Sequence, residues 1–358
     1  MLAVQEYLLN NSLEKLTEEL AIKVRRHSKY PNLVGLCYSQ LDSPKLHPVV
    51  KQCRGIILDA SNNWKIVAYG LNRFFNYKEE GADEIDWSTA LTMTKLDGSL
   101  IQMYYYDNQW LVATKGSPDA SGTVHDYGFT FSELAWKVFK EQSYSTSDLF
   151  KRYTYCFELC TPYNKEVVSH INNSLTLLGV RDNETLKEKS YQEIRSYYRF
   201  NFCVVKSHNL NSWSQVKDSL EKLNGHENEG YVVVDANFNR VKLKHADYVA
   251  HSKIKHSLTK RRLLEIIRQN EGEEFLQYFP EYTPLYYDIK SSYDNLVESI
   301  EQVWKHYNYI TDQKEFALAV KKYKFSDILF GLKRYPNTTV KERLSLLTIY
   351  SLEGLLEC

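Results

Sequence analysis

The spacing of apolar residues changes once along this chain, and that change limits what it can fold into. From Leu33 to roughly Lys244 the apolar residues come in short runs, rich in β-branched and aromatic side chains and cut by Gly, Asn, Asp and Ser. Such runs make strands and hairpins. "CRGIILDA" and "WKIVAYGL" flank Ser61-Asn62-Asn63 and predict one hairpin. "ALTMTK", "SLIQMYYY" and "WLVATKGS" predict a meander with a turn at Asp107-Asn108. "TYCFELCTP", "LTLLGV" and "FCVVKSH" follow as strands, and "EGYVVVDANFNRVKLKH" as a hairpin turning at Ala236-Asn237. The segment "FSELAWKVFKEQ" between them reads as a helix. After about Tyr248 the spacing becomes three and four residues, in "RRLLEIIRQ", "YDNLVESIEQVWKHY", "QKEFALAVKKYK" and "TVKERLSLLTIYSLEGLL". That is the period of amphipathic helices, and in the second segment Leu296, Ile300 and Val303 share a face. Residues 1 to about 30 also read as helical, ending in the basic run "KVRRHSKY". The expectation is an α+β domain over 1–250 followed by a small all-α domain over 251–358.

Composition narrows the class. The 358 residues suit two domains, and 43% hydrophobic with 25% charged residues is ordinary for a soluble globular protein. Lys+Arg and Asp+Glu balance at 45 each, so any attraction for nucleic acid must come from local patches. The N-terminus lacks a basic leader and a cleavage site, and no run is long enough to span a membrane. The six cysteines, Cys37, Cys53, Cys156, Cys160, Cys203 and Cys358, are scattered without C-x-x-C spacing. They predict reduced thiols in an intracellular, cytoplasmic protein rather than a zinc site.

Chemistry concentrates at strand ends. Lys95 stands in "TKLDGSL", between two strand-like runs and just before Asp97-Gly98. Alone, that pattern belongs far more often to a solvated hairpin turn. A lysine becomes a nucleophile when desolvation or nearby positive charge lowers its pKa. Lys242 and Lys244 alternate on one strand and point to one face, so they could supply that charge and hold phosphate oxygens. Glu158 lies inside the apolar run "YCFELC", where it either pairs with a structural arginine or serves a ligand. Glu229 opens "EGYVVV". Two acids beside a lysine cluster suit a hydrated magnesium ion. Charged residues stand beside glycine at Arg54-Gly55, Lys115-Gly116, Lys95 with Gly98, and Glu229-Gly230. Together these pairs predict a cleft lined by strand ends, with backbone close to a polyanion.

The order "KLDGSL", "FEL", "EGYVVV", "VKLK" resembles motifs I, III, IV and V of the covalent nucleotidyltransferases, the ATP-dependent ligases and capping enzymes. The closest resemblance is to the RNA ligase 1 family of T-even phages. It rests on "KQCRGII", "RFFN", "TKGS" about twenty residues after the lysine motif, "FELCTPYNKEVV", "LLGVRDNET" and Tyr248, and covers Tyr38 to Tyr248. The resemblance implies two antiparallel sheets forming an ATP cleft, and a monomer. It implies that Lys95 attacks the α-phosphate of ATP, that the AMP passes to an RNA 5′-phosphate, and that a 3′-hydroxyl then seals the strand. By motif position, Lys242 and Lys244 contact the α-phosphate and Glu158 and Glu229 hold magnesium, or manganese, beside Lys95. Tyr38, Arg54, Arg73, Phe75, Gly98 and Lys115 join them around ATP. Arg73 replaces the family's lysine, and a further acidic metal-binding residue falls at Glu273 or Glu274.

The family's setting implies repair of cleaved tRNA by a virus-encoded enzyme. A DNA ligase, a capping guanylyltransferase and a non-catalytic RNA-binding descendant are the other readings. Against the first two, helices and no OB-type β domain follow "VKLK". The stretch Val241–Arg262 carries seven Lys/Arg against one Asp and is expected to guide RNA ends to Lys95. Changing Lys260, Arg261 and Arg262 to Ala should then weaken RNA binding and flatten its salt dependence, as measured by fluorescence anisotropy.

Overall fold

The computed structural model describes residues 1–358 other than 126, 226, 270, 271, 273, 274, 277, 278, 280, 281, 357 and 358, and for 253–257 the backbone alone. The chain divides into two compact units, Met1–Ser252 and Lys253–Cys358.

The first unit holds three sheets. Helices α1 (Ala3–Asn10) and α2 (Leu13–Leu20) precede β1 (Ile22–Arg26), β2 (Leu33–Tyr38), the short α3 (Pro48–Gln52), β3 (Arg54–Asp59) and β4 (Lys65–Ala68). The four strands form an antiparallel sheet in that order. The basic run after residue 20 is therefore not the tail of a helix. Ala21 closes α2 in the left-handed region, at φ 50°, with its N–H bonded to the Thr17 carbonyl. Beyond it Ile22 and Val24 turn inward while Lys23 and Arg25 stay exposed, an alternation of period two that only a strand satisfies.

The second sheet joins β7 (Ser99–Tyr106), β8 (Gln109–Thr114), β9 (Tyr153–Cys160) and β10 (Ser174–Asp182) in the order β10-β9-β7-β8. Helices α4 (Phe131–Glu141) and α5 (Tyr191–Tyr198) cover one face, with Leu134, Val138 and Ile194 packed on Ile101, Tyr155, Phe157 and Leu177. The turn at Asp107-Asn108 is as expected, both residues having positive φ.

The third sheet runs β11-β6-β12-β13-β5, from β5 (Phe75–Asn76), β6 (Leu91–Lys95), β11 (Ser207–His208), β12 (Gly230–Val234) and β13 (Arg240–Lys244). Only its β13–β5 pair is parallel. Of "FCVVKSH" only Ser207–His208 is strand, with one bridge from Val204 to Leu177. Strand β6 does not continue into a meander with β7: between Lys95 and Ser99 the chain leaves the third sheet and enters the second. Gly98 makes the crossing possible, because a Cβ there would lie 2.4 Å from the Leu159 carbonyl oxygen of β9. Helix α6 (Trp213–Leu220) covers the far face of the third sheet, where Val216 packs on Tyr231, Val233, Val241 and Leu243. By alternation, Lys242 and Lys244 occupy the opposite face.

The first unit ends within α7 (Ala246–Ser257). In the second unit the described residues form helices and no strand: α8 (Lys260–Gln269), α9 (Thr283–Tyr307), α10 (Gln313–Val320), α11 (Ser326–Arg334), α12 (Val340–Ser345) and α13 (Ile349–Leu356). The last predicted segment is thus two helices rather than one. Its core gathers Leu264, Tyr293, Ile300, Phe316, Leu329 and Leu352, with Leu296 and Val303 partly buried beside them. Among the described residues no helix is long and apolar enough to cross a membrane.

One buried ion network braces the first unit. Glu188 bridges Arg181 at 2.6 Å and Arg240 at 2.9 Å, and all three side chains are nearly inaccessible. Burial pushes the Glu188 pKa up, but Arg240 and Arg181 outweigh it and hold the carboxyl below its ordinary range. Glu188→Gln leaves two buried guanidinia short of charge and should cost about 3–5 kcal/mol. At roughly 2–4 °C per kcal/mol for a unit of this size, thermal unfolding should begin some 6–20 °C lower. A depressed carboxyl stabilises fully above its unfolded pKa of about 4.3 and loses that effect as pH falls through its folded value. The two proteins should therefore converge in acid.

Candidate active site

A row of paired residues across the third sheet builds the centre. Gly230 of β12 pairs with Lys95 of β6 on one side and Lys244 of β13 on the other. It does so at φ +138°, and a Cβ would meet the Leu243 carbonyl at 2.1 Å, so only glycine lets the strands close here. Glu229, one residue earlier and 3% exposed, sits between the two lysines. Its carboxylate accepts from Lys95 Nζ at 2.6 Å and from Lys244 Nζ at 2.7 Å. Lys242 lies on the same face without an ion pair among the described residues. Burial, then the charges of Lys244, Lys95 and Arg54, lower its pKa to about 8.

The second sheet supplies the opposing wall. Glu158 of β9 pairs in register with Leu100, just past the crossing at Gly98. Its carboxyl has no hydrogen bond or ion pair among the described residues, so the structural-arginine alternative does not hold; Glu188 has that role instead. Burial raises the Glu158 pKa to about 7; Lys95 and Arg54 oppose the rise, and Glu229 and Asp97 add to it. An acid held this way, beside two other carboxylates, is eased by a bound cation. Glu158 therefore fits a metal ligand, with Glu229 shared between that role and its lysines. Glu273 and Glu274 lie outside the described residues.

A cationic wall completes the cleft. Arg54, Phe74, Met93, Lys95, Glu158 and Val232 line one cavity. Arg54 stacks on Phe74 at 5.2 Å, and Lys242 lies 5.9 Å from the same ring. Arg73 and Lys115 each lie 4.0 Å from the centroid of Tyr38. Arg73 also approaches Phe75 at 5.2 Å. Nη1 of both Arg54 and Arg73 is buried without a hydrogen-bond partner. Buried donors left unsatisfied cost free energy and suit an anion that arrives later. Of the glycines in the sequence pattern, Gly55, Gly98 and Gly230 are required by close contacts, whereas Gly116 faces open space. Gly98 packs against β9 rather than facing the cleft.

Sequence reasoning missed the work of Asp97. Its carboxylate accepts from the backbone N–H of Val167 at 2.8 Å and Val168 at 2.7 Å, and from the Tyr248 hydroxyl at 2.7 Å. It ties the chain after Lys95 to the segment after β9 and to the start of α7. The Asp-Gly pair had read as turn chemistry, and only long-range contacts reveal the rest. Phe74 was likewise passed over for its neighbour Phe75. Two cations of the predicted RNA stripe are occupied: Arg261 pairs with Glu353 at 2.5 Å and Arg262 with Glu265 at 2.6 Å.

The site thus combines a strand-end lysine paired with a carboxylate, a K-x-K face and a wall of guanidinia with unsatisfied donors. An RNA ligase family model matches residues 52–258, more than half of the chain. The chain belongs to that RNA ligase family. It is 27% identical to a candidate bifunctional polynucleotide kinase/RNA ligase of Autographa californica nuclear polyhedrosis virus, over 82% of this chain and 44% of that protein. It is 26% identical to an RNA ligase of Rhodothermus phage RM378, over 76% of this chain and 78% of the phage protein. The chain thus spans less than half of the first relative and about three quarters of the second. Among solved structures, an archaeal ATP-dependent RNA ligase matches at 12% identity with a TM-score of 0.45, over 93% of this chain and 78% of that one. A Naegleria gruberi RNA ligase mutant solved with ATP and Mn matches at 15% identity with a TM-score of 0.37, over 46% of this chain and 52% of that one.

The raised pKa of Glu158 makes a stability prediction. The folded state favours its protonated form, so ionisation costs stability as pH rises from 4.5 to about 7. Without metal, Glu158→Gln should be more stable than the parent at pH 8, by at most about 3 kcal/mol. The difference should shrink through pH 7 and vanish below 4.5; denaturant titrations at several pH values will read it.

Proposed function

We propose that this protein is an ATP-dependent RNA ligase that joins 5′-phosphate and 3′-hydroxyl ends through a lysyl-AMP intermediate on Lys95. The observation that carries this reading is the Glu229 carboxylate bonded to both Lys95 and Lys244 at the floor of a cationic cleft. Lys95 must lose a proton before it attacks, and Glu229, 2.6 Å away, is the acceptor at hand. The neutral amine forms a P–N bond to the α-phosphate of ATP as the bond to pyrophosphate breaks. Lys242 and Lys244 hold the α-phosphate oxygens, and Arg54, Arg73 and Lys115 hold the leaving pyrophosphate. A hydrated magnesium or manganese ion on Glu158 and Glu229 would neutralise charge on the phosphates. An RNA 5′-phosphate then takes the AMP, and a 3′-hydroxyl displaces it.

On this reading the first unit is the adenylyltransferase, and the helical second unit serves RNA specificity. Nicked tRNA, as the family's setting implies, is the substrate to try first.

The test is to mix protein, magnesium and α-labelled ATP without RNA, remove pyrophosphate, and denature. An acid-labile, base-resistant label on the polypeptide is expected, absent in Lys95→Ala and at least about a hundredfold slower to form in Lys242→Ala. Label from GTP instead of ATP would favour a capping enzyme. No label at all from a folded protein would leave an RNA-binding module.

A further inference from the structure

The edge strand β1 carries cations that the site so far described does not use. Lys23 and Arg25 are both exposed and, being two residues apart, share a face. Neither has a hydrogen bond or ion pair among the described residues. Lys23 pairs in register with Cys37, and Cys37 in turn with Arg54 of β3. One cross-strand row therefore leads from Lys23 to the arginine in the cleft. Arg25 pairs with Gly35, and a Cβ on Gly35 would touch the Pro118 ring at 3.2 Å. The loop that starts at Lys115 thus lies against this same part of the sheet. The Cys37 thiol registers the arrangement: burial raises its pKa, and Lys115, Lys23 and Arg54 each pull it back. Arg26 belongs elsewhere, since its guanidinium donates to the Pro31 carbonyl at 2.8 Å and its charge acts on Glu14.

We propose that Lys23 and Arg25 extend the phosphate wall of Arg54 and Lys115 into a track for the RNA strand that bears the 5′-phosphate. The inference rests on the ligase reading and adds which strand goes where. In-line displacement puts entering and leaving groups at opposite apices of phosphorus. Pyrophosphate departs on the side away from Lys95. When the RNA 5′-phosphate oxygen later attacks the lysyl-AMP phosphorus, a P–O bond forms, the P–N bond breaks, and Lys95 recovers its proton. Lys95 is now the leaving group, so the RNA enters where pyrophosphate left, against Arg54 and Lys115. The nucleotides that follow must run outward from there. The row to Lys23 and Arg25 offers them free cations about 7 Å apart along the strand. Exposed lysines also keep an edge strand from pairing with other chains, a role that would leave RNA handling unchanged.

The test compares the full chain with Lys23→Gln/Arg25→Gln. Adduct formation with labelled ATP comes first; if the unaltered protein forms none, the ligase reading fails. With adduct formed by both, AMP transfer is followed to a 5′-phosphorylated, 3′-blocked RNA oligonucleotide. The half-saturating concentration of this donor should rise about tenfold at 0.1 M salt, and the salt slope of its binding should flatten by about 1.4, two contacts at roughly 0.7 each. The half-saturating concentration of a 5′-hydroxyl acceptor RNA should stay the same. The charge-keeping pair Lys23→Arg/Arg25→Lys should restore donor binding, which a folding defect would not allow. Unchanged donor saturation, or a loss confined to the acceptor, overturns the proposal.

Discussion

The close approach of Gly98 to the Leu159 carbonyl governs the molecule's arrangement, because it is where the chain passes from the third sheet to the second. Lys95 ends one sheet, Ser99 begins the other, and Glu158 lies on the strand that Gly98 touches. Lys95 and Glu158, from different sheets, are thereby set around one cleft by three intervening residues. Asp97 fixes the crossing from the other side through Val167, Val168 and Tyr248. The first glycine-free alternative would force the β9 backbone aside.

Charge in the cleft is deliberately one-sided. Lys95 and Lys244 share one carboxylate, and among the described residues Lys242 has none and Arg54 and Arg73 each keep a buried donor without a partner. Glu158 is held where it resists ionising. The unsatisfied guanidinium donors and the ionised Glu158 each cost stability, and on the proposed reading a polyphosphate or a cation would relieve them. The Arg181–Glu188–Arg240 network works in the opposite sense. There one acid bridges two guanidinia, Arg181 also donates to the Gly70 and Leu186 carbonyls, and the result is a brace.

Much of this was legible from residue order. Strand alternation placed Lys242 and Lys244 on one face, and the period change after Tyr248 marked the helices. What failed did so for physical reasons. Residues 22–26 are strand and not helix because the left-handed Ala21 stops the helix, and that conformation carries no sequence signal. The meander through "TKLDGSL" assumed that neighbours in sequence pair in space, which a sheet-to-sheet crossing violates. Glu158 left two readings open, a structural pair or a ligand, and only the arginines placed around Glu188 instead decide between them.

The ring of Tyr38 has a consequence of its own. Two cations, Arg73 and Lys115, each sit 4.0 Å from its centre. A carboxylate in that place would have cancelled their charge and consumed their N–H groups. An aromatic face attracts a cation through its quadrupole and takes none of its donors. The pair is therefore held beside the ring without giving up its N–H groups to it. On the proposed reading, a polyanion that docks there would displace no rival, and on leaving it would strand no partner.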